Sequence, residues 1–389
     1  MKKIAHVALL IETSNAYCRN LLEGIAAYVR DNQPWSIYLG EHERGAAVPE
    51  WLRSWDGDGI IARVENEKIA SVLAKATVPV VNVSSTDFDK TMPAVVVDEE
   101  VMADLAVEHL RERGFKQFAF CGMSRYVWAT TRERNFAERI ETIGGKCHTY
   151  GTTLKGQRDH NWEKEQSKLA AWLQSLPKPI GLMVPYDFRG QQVLNACYSE
   201  RIAVPEQVAV ISLGDDRILC DLTFPPMTSV TTNASGAGYK AAEILGHLMA
   251  GEAITSRIVH MEPIGVHLRQ STDVTAIRDP GIVKALEFIR SNACDGIKIE
   301  DIIEEVSLSR RTFEQRFKKL VGRTPQEEIQ RIKLVRAKLL LAESDLSLTQ
   351  IANRVGFTHS SYLCKVFRTK TDLTPSQYRE KFHPKSTKG

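Results

Sequence analysis

Three side chains with base-reading chemistry stand on one stripe of a helix predicted to begin at Ser309. Arg311, Glu314 and Gln315 follow it at relative spacings of 0, 3 and 4, which places them on the same face. Arginine suits the major-groove edge of guanine, glutamine suits adenine, and glutamate can accept a hydrogen bond from cytosine. Arg310 could hold a phosphate. The pattern predicts a DNA-contacting helix; the alternative is a solvated charged face held by ion pairs four residues apart.

The elements around this helix recur once, 50 residues further along the chain. The matched pairs are Phe313 with Leu363, Phe317 with Phe367, Lys318 with Arg368, and Thr324-Pro325 with Thr374-Pro375. Each copy reads as a short helix, a turn and a longer helix, with turns at Ser307-Leu308 and at residues 356–358. A helix from Pro325 to about Glu343 joins the copies. Two such helix-turn-helix units could place two recognition helices in successive major grooves, roughly 34 Å apart.

Basic charge is concentrated in the same part of the sequence. Residues 276–389 hold 22 Lys and Arg against 14 Asp and Glu, a net charge of +8. Residues 1–275 hold 29 basic and 34 acidic side chains, a net charge of −5. This asymmetry indicates that the carboxyl-terminal part meets a polyanion; a lysine-rich solvated face is the alternative. We place the domain boundary near residue 275, in the linker Val274–Arg278, because Asp279-Pro280 reads as the start of a helix.

The long amino-terminal part alternates short apolar runs with segments of helical period. Runs such as Ile4–Ile11, Phe118–Cys121 and Val208–Leu213 are four to eight residues long and end at turn signals. Apolar strands that alternate with amphipathic helices predict parallel sheets covered on both faces. Some 270 residues in this pattern fit two lobes better than one. Ligands of such sheets bind at the carboxyl ends of strands, so two facing lobes predict a cleft for a small molecule.

Motifs for nucleophilic, metal or nucleotide chemistry are weak or absent. The sequence holds no P-loop, G-x-S-x-G or H-E-x-x-H motif. Gly236–Ala241 matches G-x-G-x-x-A, but it follows about nine predicted strands rather than the first, which favours a helix start built from small residues. Asp215-Asp216 could do acid–base chemistry, although adjacent acids in a loop are usually solvated or bind a hydroxyl. We therefore expect no catalysis, no cofactor and no metal.

Cysteine usage and hydropathy indicate a compartment. Seven cysteines form no C-x-x-C pair and cannot all pair with one another. Scattered thiols in odd number suit a reducing cytosol and argue against a structural zinc site. No apolar run approaches the roughly 18–20 residues that cross a membrane, and Ile4–Ile11 is too short and polar for a secretory signal. We expect a cytoplasmic protein without membrane contact.

Four short motifs of the first part carry a family resemblance. They are Glu12-Thr-Ser-Asn-Ala-Tyr-Cys-Arg19 running into Leu21–Ile25, Arg132 with Phe136, Asp187-Phe-Arg-Gly190, and Val204-Pro-Glu-Gln-Val-Ala-Val-Ile211. Together they resemble the effector domains of the LacI repressor family and the periplasmic sugar-binding proteins. Asn135 and Tyr186 depart from that family's pattern, which has glycine and asparagine there. The resemblance implies an α/β two-lobed periplasmic-binding-protein-like fold and a sugar-binding effector domain over residues 1–275.

The tail carries a second resemblance over about 110 residues. Its motifs are Ser309-Arg-Arg-Thr-Phe-Glu-Gln-Arg-Phe317, Gly322-Arg-Thr-Pro325, Arg336-Ala-Lys-Leu-Leu340, Ile351-Ala352, Gly356-Phe357, Tyr362-Leu363 and Leu373-Thr-Pro-Ser-Gln-Tyr-Arg379. They closely resemble the AraC/XylS DNA-binding domain, which implies an all-α domain with two helix-turn-helix units over residues 276–389. By matched position, base contacts fall on Arg311, Glu314 and Gln315 in the first unit. In the second unit they fall on Ser360, Ser361, Cys364 and Lys365.

The combination of the two parts resembles the xylose operon regulators along nearly the whole chain. It implies a cytoplasmic transcription regulator, usually an activator, whose effector is D-xylose or a related monosaccharide. The implied partners are double-stranded DNA and, for an activator, RNA polymerase. We also expect a homodimer through the amino-terminal part, because linking two chains makes the second DNA contact intramolecular. The competing functions are a solute-binding protein that feeds a transporter and a sugar-modifying enzyme.

A sugar site needs carboxylates, arginine or amide groups for adjacent hydroxyls and an apolar ring for the pyranose face. The candidates carried over from the resemblance, or placed at the end of the first predicted strand, are Glu12, Asn15, Tyr17, Trp128, Arg132, Asp187 and Asp215. Ordinary core packing is the alternative for Tyr17 and Trp128, and a surface salt bridge is the alternative for Arg132.

One position departs from the family's sugar site. In the family, the strand that ends V-I-G-x-D presents an aspartate to the sugar, whereas this sequence has Gly214 in that register. Two explanations stay open at this point. Either Asp215 takes over the role through a shifted loop, or the ligand lacks the hydroxyl that the aspartate would bind.

Overall fold

The chain folds into two compact units. A computed structural model describes residues 4–41, 47–85, 88, 91–123, 126–151, 162–254, 256–273, 279–306, 308–344 and 346–382. The units comprise Met1–Asp273 and Val274–Gly389. The predicted linker Val274–Arg278 lies outside the described residues, as does Ser307 of the first predicted turn.

Among the described residues, the first unit contains two six-stranded sheets, one in each of two lobes. The strands are β1 (Ala5–Leu10), β2 (Trp35–Leu39), β3 (Gly59–Ala62), β4 (Val80–Asn82), β5 (Ala94–Val97), β6 (Phe118–Cys121), β7 (Cys147–Tyr150), β8 (Ile180–Met183), β9 (Val208–Gly214), β10 (Thr228–Thr231), β11 (Ile258–Met261) and β12 (Gly265–His267). The first sheet has the order β11-β5-β4-β3-β1-β2 and the second has the order β12-β10-β9-β8-β6-β7. The chain therefore passes between the lobes after β5, β10 and β11.

Helices cover the sheets of the first unit. They are α1 (Ala16–Asp31), α2 (Glu67–Leu73), α3 (Glu99–Glu112), α4 (Val127–Thr142), α5 (Trp162–Ser175), α6 (Asp187–Ser199), α7 (Arg217–Leu222) and α8 (Ala234–Met249). The described strand pairs are parallel except for β10 with β12. Parallel strands need crossover helices on the sheet faces, and these faces bury the apolar runs seen in the sequence.

The Gly-x-Gly-containing segment forms the start of a helix rather than a nucleotide site. Gly236 and Gly238 lie in the first turns of α8, which packs along α1 in the first lobe. A Cβ on Gly238 would collide with the backbone carbonyl of Leu21, and a Cβ on Gly24 would collide with that of Ser235. Glycine is used here because the two helix backbones approach each other closely.

The second unit is all-α among its described residues. Its helices are α9 (Pro280–Asn292), α10 (Ile299–Val306), α11 (Arg310–Val321), α12 (Pro325–Glu343), α13 (Leu348–Arg354), α14 (Ser360–Thr371) and α15 (Pro375–Phe382). The two-lobed α/β fold and the all-α tail predicted from the sequence are thus both confirmed. So are the capping boxes predicted at Thr324 with Glu327 and at Ser347 with Gln350.

The 50-residue repeat has a structural counterpart in its core and in its helix ends. Phe313 and Phe317 of α11 are fully buried, and so are Leu363 and Phe367 of α14. Each recognition helix ends at a residue in the left-handed conformation. The first copy uses Gly322 with φ of 79°, and the second uses Asp372 with φ of 58°. The second copy therefore carries a residue for which this conformation is less favourable.

Candidate functional site

A cavity of about 340 Å³ lies between the two lobes of the first unit. Its walls come from the ends of β1, β3, β4 and β5 in the first sheet and of β6, β8, β9 and β10 in the second, together with the segments that follow them. Its main polar and aromatic lining residues are Asn15, Tyr17, Arg63, Ser84, Ser85, Glu99, Trp128, Arg132, Tyr186, Asp187, Phe188 and Asp216. All these segments follow the carboxyl ends of parallel strands, where open α/β sheets bind ligands.

Arg132 is fixed in the cavity by a buried carboxylate. Its Nε and Nη2 donate to the two oxygens of Glu99 at 2.7 and 3.1 Å, and its Nη1 donates to the carbonyl of Pro185 at 2.6 Å. Glu99 and Arg132 are both buried. Of the five guanidinium N–H groups, two have no partner among the described residues. The arginine is therefore pre-oriented, and its charge is already balanced before a ligand enters.

Arg63 repeats this arrangement in the first lobe. Its Nη1 donates to Glu12 Oε2 at 2.9 Å, and its Nη2 lies 3.0 Å from Glu65 Oε1. Its guanidinium also stands over the ring of Tyr17, 5.6 Å from the centroid. Asn15 caps α1 by accepting from the backbone N–H of Cys18 at 2.9 Å, and its amide donates to Glu12 Oε2 at 2.6 Å. Glu12 thus lies behind the cavity wall and orients Arg63 and Asn15.

Asp187 stands in the cavity at the start of α6 and is held by donors from three elements. Its Oδ1 accepts from the hydroxyls of Ser212 and Ser229, and its Oδ2 accepts from the backbone N–H of Asp216 at 2.7 Å. Burial raises the pKa of Asp187, and the hydrogen bond from Ser212 leads those that oppose the rise. A carboxylate with several fixed donors is a rigid acceptor for a ligand hydroxyl.

Gly214 leaves room in front of this carboxylate. Its φ is +130°, and a Cβ built on it would lie 2.9 Å from Asp187 Oδ2. An aspartate at position 214 would therefore compete with Asp187 for the same space. Of the two explanations left open by the sequence, takeover by Asp215 does not fit the cavity lining, which does not include that residue, and a ligand that lacks the hydroxyl stays a prediction.

Asp215 is not at the cavity, contrary to the expectation from its position. It adopts a left-handed φ of 61° and turns its side chain away from the lining. Its Oδ1 accepts from Arg269 Nη1 at 2.7 Å, and its Oδ2 accepts from the hydroxyl of Thr231 at 2.8 Å. The neighbouring Asp216 lines the cavity instead. The expectation for Asp215 fails because of its backbone conformation: with a left-handed φ at Asp215, the side chain of Asp216 faces the cavity and that of Asp215 does not.

Aromatic rings form one wall of the cavity in the second lobe. The indole of Trp128 stacks on Tyr126 with ring centroids 5.2 Å apart and meets Tyr186 edge-on at 5.5 Å. Tyr186 in turn stacks with Phe188, whose side chain is 48% exposed. Trp128 thus packs among rings and lines the cavity as well, so core packing and ligand contact are not exclusive for it.

Sequence reasoning missed several lining residues. Arg63 and Glu99 directly follow apolar strands, and a search for charged residues at strand ends would have found them. Tyr186 and Phe188 flank Asp187 in sequence and could have been included with it. Asp216 could not have been chosen over Asp215 from the sequence, because the choice depends on the sign of one backbone angle.

The first recognition helix, α11, exposes part of the predicted DNA-contacting stripe. Arg311 and Gln315 are exposed, while Glu314 is half-buried. Arg310 is engaged by two carboxylates, since its Nη1 donates to Glu300 at 2.6 Å and its Nε donates to Glu314 at 3.0 Å. Arg311 has no such partner among the described residues. Arg311 and Gln315 are therefore the more available pair on this helix.

The second recognition helix, α14, presents a more neutral surface. Ser361 and Lys365 are exposed, while Ser360 and Cys364 are half-buried. Tyr362, which the sequence reasoning did not select, is 47% exposed and accepts a hydrogen bond from Gln330 of α12 at 3.3 Å. The helix begins at His359 without a side-chain cap, whereas Ser309 caps α11.

Within the described parts of the chain, no cluster of three or more His, Cys, Asp or Glu side chains is arranged to hold a metal ion. Membrane-spanning helices were also sought there, and none of the helices has the required length and apolar character.

Three protein families match successive parts of the chain. Residues 6–98 match the XylR N-terminal domain, and residues 107–272 match the periplasmic binding protein-like domain. Residues 302–381 match a helix-turn-helix domain. The Xylose operon regulatory protein of Escherichia coli strain K12 is 33% identical over 384 residues, which cover 96% of each chain. The chain belongs to the family of xylose operon regulatory proteins.

Other relatives and solved structures agree with this membership. The Xylose operon regulatory protein of Haemophilus influenzae is 31% identical over 96% of this chain and 97% of its own length. A structure titled as the xylose-binding transcription activator xylR matches with a TM-score of 0.84 and 31% identity, and it covers 98% of this chain and 99% of its own. A member of the xylose operon regulator family is a DNA-binding, sugar-responsive transcription regulator and not an enzyme.

A more distant structure shares the fold of the first unit alone. It is a periplasmic binding protein/LacI transcriptional regulator from Alkaliphilus metalliredigens QYMF complexed with D-xylulofuranose. It matches with a TM-score of 0.56 at 16% identity over 69% of this chain and 98% of its own.

Proposed function

We propose that the interlobe cavity binds one neutral monosaccharide and that this binding changes how the second unit acts on DNA. D-Xylose or a related pentose is the leading effector, because the full-length relatives are named for the xylose operon. Under this proposal residues 1–275 form the effector domain and residues 276–389 form the DNA-binding domain. The observation that carries it is the convergence of Arg63, Arg132 and Asp187 in one cavity, with both arginines already paired to acids.

The charge balance of the cavity favours a neutral ligand over a sugar acid or a sugar phosphate. Arg132 is neutralised by Glu99, and Arg63 lies between Glu12 and Glu65. Asp187 and Asp216 add further negative charge to the lining. An anionic ligand would meet uncompensated carboxylates, and like charges at close range disfavour binding. The guanidinium N–H groups that remain available on the paired arginines can donate to the hydroxyls of a neutral ligand.

The size and the walls of the cavity suit a small sugar. Its volume of about 340 Å³ is at the small end of the range for ligand pockets. Tyr126 stacks on the Trp128 ring and the Arg132 guanidinium lies over it, 5.1 Å from the centroid, so Phe188, which is 48% exposed, is the more accessible aromatic ring of the lining. A sugar packed against this aromatic wall would share the cavity with Arg132 and Asp187, which can bind its hydroxyls. The sites proposed for the sugar are thus Asn15, Tyr17, Trp128, Arg132 and Asp187, with Arg63, Glu99 and Asp216 added.

For DNA, we propose that α11 reads bases through Arg311, Glu314 and Gln315, with Arg310 near the backbone. In α14, Ser360, Ser361, Cys364 and Lys365 keep the assignment that the family resemblance implies. The exposure of Arg311 and Gln315 supports the first assignment. The more neutral surface of α14 supports a role in positioning and in reading DNA shape more than in direct base contact.

We further propose a homodimer through the first unit, a cytoplasmic location and, for an activator, contact with RNA polymerase. An exposed apolar group in the second lobe supports the homodimer. Tyr198 is 72% exposed and contacts Phe224, which is 54% exposed, while Ile218 and Leu222 of α7 are 65% and 71% exposed. Clustered exposure of large apolar side chains marks interaction surfaces more often than scattered exposure does.

A thermal-shift panel on the full chain tests the proposed effector class. A ligand that binds only the folded state raises the apparent melting temperature by mass action. D-Xylose, L-arabinose, D-ribose and D-glucose are compared with D-glucuronate and D-glucose 6-phosphate. We expect stabilisation by at least one neutral sugar and none by the two anions. Stabilisation by an anion alone, or by no sugar at all, would contradict the proposal.

A further inference from the structure

The last described stretch of the first unit, residues 267–273, leads into the chain of the second unit and is called the exit segment below. It begins at His267, the last residue of β12, and contains a short 3-10 turn at Gln270–Thr272. Ser271 and Thr272 are fully buried although both are polar. A polar segment is buried in this way only where its hydrogen bonds are satisfied internally. The partners of those bonds come from elements that also line the cavity.

The first connection runs through Asp215. Its neighbours Gly214 and Asp216 line the cavity, and the backbone N–H of Asp216 donates to Asp187, which also lines the cavity. Asp215 itself faces the opposite way, and its carboxylate binds Arg269 and His267 of the exit segment at 2.7 and 3.0 Å. The side chains of Asp215 and Arg269 are only 10% and 7% exposed. Three consecutive residues thus join the cavity wall to the exit segment.

The second connection runs through Thr272. Its hydroxyl donates to Thr228 Oγ1 at 2.9 Å, and Thr228 donates to the carbonyl of Arg269 at 3.0 Å. The Thr272 oxygen is therefore left to accept from His109 Nε2, which lies 2.7 Å away. Burial and then the charge of Arg113 lower the pKa of His109 to about 3, which keeps the ring neutral. Arg113 Nε also donates to the carbonyl of Thr272 at 2.9 Å.

His109 and Arg113 belong to the far end of the helix that begins at the cavity. Glu99, the first residue of α3, binds Arg132 inside the cavity, and His109 lies 10 residues further along the same helix. At 1.5 Å of rise per residue, Glu99 and His109 lie about 15 Å apart along one continuous helix. A displacement of Glu99 on ligand binding therefore displaces the groups that hold Thr272.

We propose that the exit segment is the relay by which occupancy of the cavity reaches the DNA-binding unit, with the Asp215–Arg269 ion pair and the His109–Thr272 hydrogen bond as its two attachments. The relay rests on the proposed function, since it transmits the sugar signal assumed there. A ligand shifts a conformational equilibrium only by its differential affinity for the two states. The two attachments make the position of residues 267–273 depend on the conformation of the cavity wall. Asp215 therefore takes part in the relay without contacting the sugar.

The test measures sugar affinity and sugar response separately on the full chain. The variants are Asp215→Asn, Arg269→Gln and the double substitution. Calorimetry gives the affinity for D-xylose, and fluorescence anisotropy gives the affinity for DNA from upstream of neighbouring sugar-catabolism genes, with and without D-xylose. We expect each single variant to keep D-xylose affinity within about threefold and to lose roughly fivefold or more of the sugar-dependent change in DNA affinity. We expect the double variant to lose no more than either single variant, because each single variant already breaks the shared Asp215–Arg269 ion pair.

Glu165→Gln is the matched control. It breaks another largely buried acid–arginine pair of the same lobe, that of Glu165 with Arg189, whose side chains are 11% and 1% exposed, and neither residue contacts the exit segment among the described residues. We expect its sugar response to equal that of the parent, and thermal unfolding confirms that each variant is folded. If Asp215→Asn does not fold, Arg269→Lys tests the same contact with the charge retained, since lysine lacks the planar fork.

Each remaining outcome is decisive. A responsive parent together with equally responsive variants contradicts the relay alone. A loss of D-xylose affinity in Asp215→Asn that matches its loss of response would make Asp215 a ligand-site residue and would also contradict the relay. If the parent protein binds DNA with the same affinity with and without bound D-xylose, the proposed function is contradicted. In that case there is no sugar-dependent change for the exit segment to relay.

Discussion

The two units build their binding surfaces in opposite ways. The second unit presents the groups proposed to contact DNA on single helices, and Arg311 and Gln315 are both exposed on α11. The first unit assembles its cavity from at least six segments, and residues as distant in sequence as Asn15 and Asp216 line the same cavity. The helical surface forms once the helix is capped and its apolar side chains are buried. The cavity needs two lobes to be correctly packed before any of its groups are in place.

The arginines of the two units also differ in their pairing and exposure. In the cavity, Arg132 and Arg63 are both tied to buried acids. On α11, Arg311 stands exposed and is free of any partner among the described residues. Paired, buried arginines are positioned donors for a neutral ligand, whereas exposed arginines attract phosphates through long-range fields. We therefore expect substitutions in the cavity to act through geometry and substitutions on α11 to act through charge and base preference.

The largest effect is expected for Arg132→Ala. The change removes the guanidinium N–H groups of Arg132 from the cavity and leaves the buried carboxylate of Glu99 without its partner. Removal of one partner of a buried ion pair costs about 3–5 kcal/mol. We expect D-xylose affinity to fall by at least about 100-fold in calorimetry, while DNA affinity in the absence of sugar stays unchanged. If the alanine variant unfolds, Arg132→Lys keeps the charge but loses the two-pronged contact with Glu99.

Arg134→Ala is the control for that substitution. Arg134 lies two residues away on the same helix, is exposed, and pairs only loosely with Glu138 at 3.9 Å. Its sugar affinity should equal that of the parent. An unchanged affinity in Arg132→Ala would show that the sugar site lies elsewhere.

Gly214→Ala should have the next largest effect. The methyl group would lie 2.9 Å from Asp187 Oδ2 in a backbone conformation that alanine rarely adopts. We expect the free energy of unfolding in urea to fall by about 1–3 kcal/mol and sugar affinity to fall by roughly tenfold. Gly265→Ala is the control, since Gly265 has a similar φ of +144° with nothing within 4 Å of its Cβ position. Equal sugar affinities in the two variants would refute the steric argument.

Arg311→Ala should weaken specific DNA binding by about 1–3 kcal/mol and relax the preference at one base pair. Arg310→Ala should cost less, because Arg310 is shared between Glu300 and Glu314. Competition binding with base-substituted DNA measures both effects. A larger loss for Arg310 than for Arg311 would reverse the assignment of the two arginines.

The smallest effect concerns the repeat itself. Asp372→Gly replaces a left-handed aspartate at the end of α14 with the residue that the first copy uses at Gly322. We expect a gain of roughly 0.5–1 kcal/mol in the free energy of unfolding. The reciprocal change Gly322→Asp should lose a similar amount in urea denaturation. A loss in both variants would show that the two helix ends are not equivalent.

The sequence predicted the second unit almost to the residue, because its signals are local. The capping box predicted at Thr324 forms at the start of α12, and the helix predicted from Ser309 begins at Arg310 with Ser309 as its N-cap. In the first unit, the buried strand β6 was predicted with its observed bounds, Phe118–Cys121. The edge strands β7, β11 and β12 were missed because they are short and partly exposed, and they lack a clear apolar run.

The cavity was less accessible to sequence reasoning. Tyr17, Trp128, Arg132 and Asp187 were selected from motifs, and the structure places them in the cavity lining. Glu99, which pairs with Arg132, was not selected, because its role depends on a contact between residues 33 positions apart in sequence. The position of Glu99 near a strand end could have marked it as a candidate, but its pairing with Arg132 is a property of the packed fold and cannot be seen in the local sequence.

DNA-binding isotherms of the full chain, recorded with and without D-xylose on DNA from upstream of neighbouring sugar-catabolism genes, test the central claim most directly. We expect D-xylose or a related neutral pentose to shift the midpoint by roughly fivefold or more, D-glucuronate to leave it unchanged, and both isotherms to weaken steeply as salt rises. Identical isotherms with every neutral monosaccharide, or a shift with the anionic sugar alone, would contradict the account.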